Sequence, residues 1–232
     1  MTTLEEIKHA IERLNLDGWS EIHHWLGKRI DSRTRTSGVK EPLAAYNPNP
    51  PLMTYEEYLE FVEHSPLRYE YVNGVVHAMS GGSVAHGLVT GRLFGLVRTH
   101  LRVGPCEVFS SSVDLEIRSN TDEIIYIPDL MVACNPEEWS EKAIRNPKLV
   151  AEVLSPSTRH IDQREKATNY RRVESIEEFL LLEQSEPKIV VYRRGEKWRP
   201  QVYVGMEAVL ELRSIGLSAP LAQIYAGIPA AS

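Results

Sequence analysis

Leu149-Val150-Ala151-Glu152-Val153-Leu154-Ser155-Pro156-Ser157-Thr158, followed by Asp162, Lys166 and Tyr170 at intervals of four, is the stretch on which the reading of this chain turns. Lys148 to Leu154 is an apolar run of strand length, and it stops at Ser155-Pro156, because proline has no N–H for a sheet ladder. One residue breaks the run, Glu152. An ionised carboxylate in a sheet interior is costly unless it is paired or binds a metal, so Glu152 demands a partner. From about Thr158 to Val173 the pattern becomes helical, and residues four apart lie on one helical face. Lys166 therefore stands in line with Asp162 and Tyr170 on a face expected to pack inward. A surface Asp162–Lys166 pair would account for the charges, but it gives that face no reason to be polar.

A second carboxylate has the same character. In Ile127-Pro128-Asp129-Leu130-Met131-Val132 an aspartate opens a strand that otherwise reads as buried. Taken singly, Asp129 or Glu152 is as well explained by a buried ion pair. On adjacent strands the two converge on a point that suits Mg²⁺ or Mn²⁺, hard cations that take oxygen ligands.

Outward from this pair the remaining elements alternate in type. Thr54 is placed to cap a helix whose inward face is Tyr55, Tyr58, Leu59 and Val62. Asn73-Gly74 lies between Arg68–Val72 and Val75–Met79, a strong hairpin signal. Ser83 to Leu101 reads as a helix entered through Gly81-Gly82, with His86 in its first turn. Strands are expected near Cys106–Ser110, Ser112–Ile117, Ile124–Ile127 and Asp129–Cys134. After the Thr158 helix others follow near Phe179–Glu183, Lys188–Tyr192 and Lys197–Tyr203. The order implies a mixed α/β (α+β) fold with a central mixed sheet flanked by helices.

The N-terminal part is different. Residues 1–31 carry Leu4, Ile7, Ile11, Leu14, Trp19, Ile22, Trp25 and Leu26 at helical spacing, which predicts a helical hairpin; residues 32–51, rich in Ser, Thr, Arg, Gly and Pro, read as a linker. Residues 52–232 form the main domain. The hairpin offers more apolar surface than a monomer usually leaves open, so a homodimer or larger assembly is expected. No run approaches the roughly 18 apolar residues of a membrane span, and the acidic start MTTLEEIKHAIERL is not a secretory signal, which points to a cytoplasmic protein. Cys106 and Cys134, the only cysteines, are expected to be reduced core residues. A net charge of −6 gives no global attraction for nucleic acid, so such a partner must be held by bound cations or by local basic residues. Basic side chains do cluster, at Arg159, Arg164, Lys166, Arg171 and Arg172 and again at Arg193, Arg194, Lys197 and Arg199.

Together, Arg68 to Val76, His86, Ser112-Val113-Asp114-Leu115, Pro128-Asp129-Leu130 and the Glu152–Thr158 stretch with its Asp162, Lys166 and Tyr170 resemble the Uma-type family of restriction endonucleases, a branch of the PD-(D/E)XK nuclease superfamily. The similarity runs from about Leu52 to Tyr203. It implies a restriction endonuclease-like core, an Mg²⁺-dependent (or Mn²⁺-dependent) endonuclease activity on nucleic acid, DNA in the first place, and a metal held by Asp129, the Glu152 side chain and the Val153 carbonyl, with Glu70 nearby. In the wider superfamily a lysine lies two residues beyond the second acid; this chain has Leu154 there. The resemblance transfers that role to Lys166, which would position the attacking water, with Gln163 as a substitute. His86, Gln163 and Arg159 are candidate phosphate contacts, and Asp114 and Tyr170 match family positions of lower rank. Two other readings remain: a catalytically inactive nucleic-acid-binding protein of the same fold, and a component of a toxin–antitoxin-like pair with the hairpin as its protein-binding module.

Overall fold

The computed structural model describes residues 52–79, 81–156 and 158–228. The expected hairpin of residues 1–31 and the linker of 32–51 lie outside them. The chain divides into two units, Met1–Met53 and Thr54–Ser232, and the second holds the elements that follow.

Helix α1 (Tyr55–Glu63) starts in a capping box: Thr54 Oγ1 accepts the Glu57 N–H at 3.2 Å, and the Glu57 carboxylate accepts the Thr54 N–H at 2.8 Å. It buries Tyr55 and Tyr58, but Leu59, expected to face inward, is 42% exposed. The helix meets its neighbours through a narrow face, with the Tyr58 hydroxyl donating to the Tyr69 carbonyl at 2.7 Å. β1 (Tyr69–Val72) and β2 (Val75–Ala78) pair around Asn73 and Gly74, whose φ values of 48° and 95° are the positive angles a two-residue hairpin needs. With β4 (Asp114–Arg118), β5 (Glu123–Tyr126) and the short β7 (Ala143–Ile144), which the sequence pattern does not announce, they form a five-stranded sheet in the order β2-β1-β5-β4-β7.

The central sheet has six strands: β3 (Glu107–Ser110), β6 (Leu130–Ala133), β8 (Leu149–Leu154), β9 (Glu178–Glu183), β10 (Lys188–Arg193) and β11 (Pro200–Val204), ordered β11-β10-β9-β8-β6-β3. Its one parallel pair is β8–β9, and a parallel pair needs a crossover. The crossover is the expected helix, resolved into α3 (Arg159–Ile161), a π-helical turn (Asp162–Lys166) and α4 (Ala167–Arg172). Strand alternation gives the central sheet two covered faces. Leu149, Ala151 and Val153 pack with Val89, Leu93 and Val97 of α2 (Val84–His100) and with the C-terminal hairpin β12 (Val209–Leu212) and β13 (Leu217–Pro220). Val150 and Leu154 pack on the other side with Ala167 and Tyr170 and with Leu115, Ile124 and Tyr126 of the five-stranded sheet.

The chain passes from one sheet to the other at Ile127-Pro128-Asp129, between β5 and β6. Pro128 brings no N–H that would go unpaired there, and the Ile127 N–H finds its partner outside the ladders. The Glu70 carboxylate supplies it at 3.0 Å.

The cysteines depart from expectation. Glu107 pairs with Ala133, so the next rung sets Cys106 opposite Cys134, and the two are joined as a disulfide rather than lying apart as reduced core residues.

Candidate functional site

β6 and β8 are antiparallel neighbours with Leu130 opposite Ala151, and one further rung sets Asp129 opposite Glu152. Glu152 shares the face of Val150 and Leu154, toward the crossover helix and the five-stranded sheet. From that side Lys166 reaches it. The Lys166 Nζ lies 3.2 Å from Glu152 Oε1, 2.8 Å from Glu70 Oε1 and 3.6 Å from Asp162 Oδ1. Asp162, which the spacing alone allows as half of a surface pair, is 2% exposed and belongs to this cluster. Glu152 Oε1 also accepts the Tyr170 hydroxyl at 2.5 Å.

Asp129 is held separately. Its Oδ2 accepts the Val153 backbone N–H at 2.7 Å and lies 3.2 Å from His86 Nε2. Ser83 caps α2 by accepting the His86 N–H at 3.0 Å, which sets the imidazole over the strand end. Gly82 lets the loop pass close beside it, since a Cβ there would stand 2.9 Å from His86 Nδ1. The hydrogen bond to Asp129 raises the His86 pKa against the opposing effect of burial.

The electrostatics follow from burial and crowding. Desolvation, with the neighbouring Asp162, Asp129 and Glu70, pushes the Glu152 carboxyl up to about 8 even though Lys166 acts to lower it. Burial pulls the Lys166 ammonium down, but Glu152, Glu70 and Asp162 outweigh it and hold the pKa above the ordinary lysine value. Burial likewise raises Asp162. Four carboxylates thus stand around one ammonium and one imidazole. That surplus of negative charge, carried by hard oxygen donors, is the chemistry a divalent cation requires. Among the described residues no three His, Cys, Asp or Glu side chains are already gathered as a metal-ligand group.

The other expected residues are elsewhere. Gln163 points to solvent. Arg159 is engaged by Glu183 at 2.7 and 2.5 Å. Asp114 sits 3.5 Å from Arg68 at the start of β4, outside the hydrogen-bonded cluster. Several of the clustered basic residues are structural: Arg193 is buried on Glu178, Arg194 donates to the carbonyls of Ile176 and Arg171, and Arg172 pairs with Asp122. A second layer was not read from the sequence. The Tyr126 hydroxyl donates to Glu165 at 3.0 Å and accepts from Asn169 at 2.7 Å, while its ring lies 5.3 Å from the Lys166 ammonium. The available signal was Asn169, a polar residue on the inward side of the helix.

Residues 55–222 match the family Uma2, described as "Putative restriction endonuclease". Two uncharacterized proteins of Synechocystis sp. (strain ATCC 27184 / PCC 6803 / Kazusa) are similar in sequence. Slr1290 is 35% identical over 191 residues, 80% of this chain and 99% of its own length. Sll1609 is 28% identical over 165 residues, 69% of this chain and 92% of its own. The fold is similar to the crystal structure of "a putative nuclease belonging to DUF820" from Anabaena variabilis ATCC 29413, with a TM-score of 0.61 at 15% identity over 75% of this chain and 97% of that one.

Proposed function

The chain belongs to the Uma2 family, described as "Putative restriction endonuclease", and from that premise we propose that it is a metal-dependent endonuclease hydrolysing phosphodiester bonds of nucleic acid, DNA in the first place. The observation that carries the reading is the contact of Lys166 with Glu152. Leu154 stands where the superfamily places its lysine, and the crossover helix delivers an ammonium to the second acid instead.

Asp129, Glu152 and the Val153 carbonyl would hold Mg²⁺ or Mn²⁺, and the hard oxygen donors and uncompensated negative charge described above fit such an ion. A bound divalent cation supplies Lewis-acid polarisation of the phosphodiester. The chain's own residues supply the rest. Lys166, kept charged by its carboxylates, orients the attacking water and stabilises negative charge developing on the phosphoryl oxygens. Glu70 anchors that ammonium and, through the Ile127 N–H, the segment that leads into Asp129. His86 holds the Asp129 carboxylate beside the N-terminus of α2, where a phosphate oxygen is favoured. A cytoplasmic homodimer completes the reading, with the apolar pattern of residues 1–31 as the contact between copies.

Cleavage of supercoiled plasmid in Mg²⁺ or Mn²⁺, and its loss in chelator, is the direct test. Asp129→Ala is expected to lose both cation binding and cleavage. Lys166→Ala is expected to lose at least about a hundredfold in rate, as removal of a positioned charge does. It also leaves buried carboxylates unpaired, at a cost of about 3–5 kcal/mol, so Lys166→Arg, which keeps the charge but not its placement, separates rate from stability. Wild-type cleavage by both lysine variants where Asp129→Ala is dead would remove Lys166 from the mechanism. A wild-type protein that binds DNA and never cuts it would favour the non-catalytic reading.

A further inference from the structure

Two donors converge on one oxygen of Glu152: the Tyr170 hydroxyl at 2.5 Å and the Lys166 ammonium at 3.2 Å both address Oε1. Tyr170 has no freedom to be elsewhere. It is completely buried, its ring lies edge-on to Tyr126 at 5.6 Å and tilted on Phe179 at 5.7 Å, and the helix turn before it carries Lys166. A carboxylate gripped only by a lysine at the end of a flexible stem can still rotate about its last bond. A phenol locked between two rings and hydrogen-bonded to the same oxygen removes that rotation and fixes where the other oxygen points.

On the reading of the site given above, we propose that Tyr170 is a positioning residue: by holding Glu152 Oε1 it fixes the carboxylate so that the remaining oxygen is presented to the divalent cation together with Asp129. Burial raises the Tyr170 phenol well above its ordinary pKa, which suits a group that donates a hydrogen bond and keeps its proton. The competing explanation is that a buried hydroxyl has merely found an acceptor, in which case its loss costs stability and nothing more.

Tyr170→Phe removes one oxygen atom and keeps the ring, and Mn²⁺ titration of the metal-free protein by calorimetry reads the difference without reference to activity. The Mn²⁺ dissociation constant is expected to rise about ten- to hundredfold, the range for groups that orient metal ligands. In the cleavage assay kcat falls while KM for DNA holds, and saturating Mn²⁺ restores part of the rate. Leu210→Ala in β12, which opens the core on the other face of the central sheet and leaves Tyr170 and the two rings around it in place, is the control: its melting temperature falls and its Mn²⁺ affinity stays at the wild-type value. Unchanged Mn²⁺ affinity in Tyr170→Phe overturns the proposal and leaves the metal reading standing. Equal weakening in Leu210→Ala also overturns it, because lost stability alone then explains the effect. A wild-type protein that takes up no Mn²⁺ overturns the metal reading and this inference together.

Discussion

Glu183 shows how a carboxylate outside the cluster governs its geometry. Arg159 opens the crossover helix and donates from both terminal nitrogens to the two Glu183 oxygens, tying the helix start to the end of β9. Those hydrogen bonds hold the Glu183 carboxyl below its usual pKa, against burial. A group whose pKa is lower folded than unfolded contributes stability that is complete above the unfolded value, about 4.3, and lost as the pH falls through the folded one. Unfolding followed between about pH 6 and pH 3 should therefore show a wild-type protein that weakens toward acid. In Glu183→Gln the curve should start lower at neutral pH and fall less across that window. Parallel curves for the two proteins would show that the pair adds no stability that acid removes. Residues of this kind mark the limit of what the sequence discloses. Asp129 and Glu152 were legible because each breaks an apolar strand, and Lys166 because its spacing put a charge on an inward face. Arg159 read as a phosphate contact because its partner lies far along the chain. Tyr170 stood out only through the family pattern and at low rank, since a tyrosine on the inner face of a helix is what any core helix contains.

At the scale of elements, local chemistry announced some features and long-range register decided others. Asn73-Gly74 and the Thr54 helix cap are written in adjacent residues, and both formed where the sequence placed them. The π-helical turn at Asp162–Lys166 has no such signature; it adjusts the helix phase as the helix passes the Glu152 strand, and π turns often occur at functional sites. The Cys106–Cys134 bond is of the second kind, because only the pairing of β3 with β6 reveals that the two residues are opposite one another. It joins an edge strand to the strand that Asp129 leads into, across a sequence separation of 28 residues. A loop of that size predicts about 3.5 kcal/mol of stabilisation through restriction of the unfolded chain. Urea unfolding of Cys134→Ser, or of the wild type in dithiothreitol, should show a lower midpoint by that order. Equal midpoints with and without reductant would mean that the bond leaves the unfolded chain no more restricted than the thiols do.

The whole molecule poses a question of division of labour. The family match occupies residues 55–222, every residue of the proposed site lies within it, and slr1290 is matched over 99% of its length while 80% of this chain is covered. The chemistry is therefore expected to reside in Thr54–Ser232, the second compact unit, and the apolar pattern at Ile7, Ile11, Trp19, Ile22 and Trp25 to serve assembly. Apolar side chains repeating at helical spacing find a partner most simply in a second copy, because a self-complementary face needs only the two-fold arrangement common to homodimers. Deleting residues 1–53 should then convert a dimer of the full chain into a monomer of the shortened one, read by light scattering at micromolar concentration. It should leave the melting of the remaining unit and its Mn²⁺-dependent cleavage within about twofold of the full chain, since every residue of the proposed chemistry lies in that unit. If the shortened protein keeps the mass ratio of a dimer, the assembly surface lies within Thr54–Ser232. If it loses cleavage while remaining folded, the first fifty residues contribute to the substrate surface, and the nuclease is not confined to the unit that carries its carboxylates.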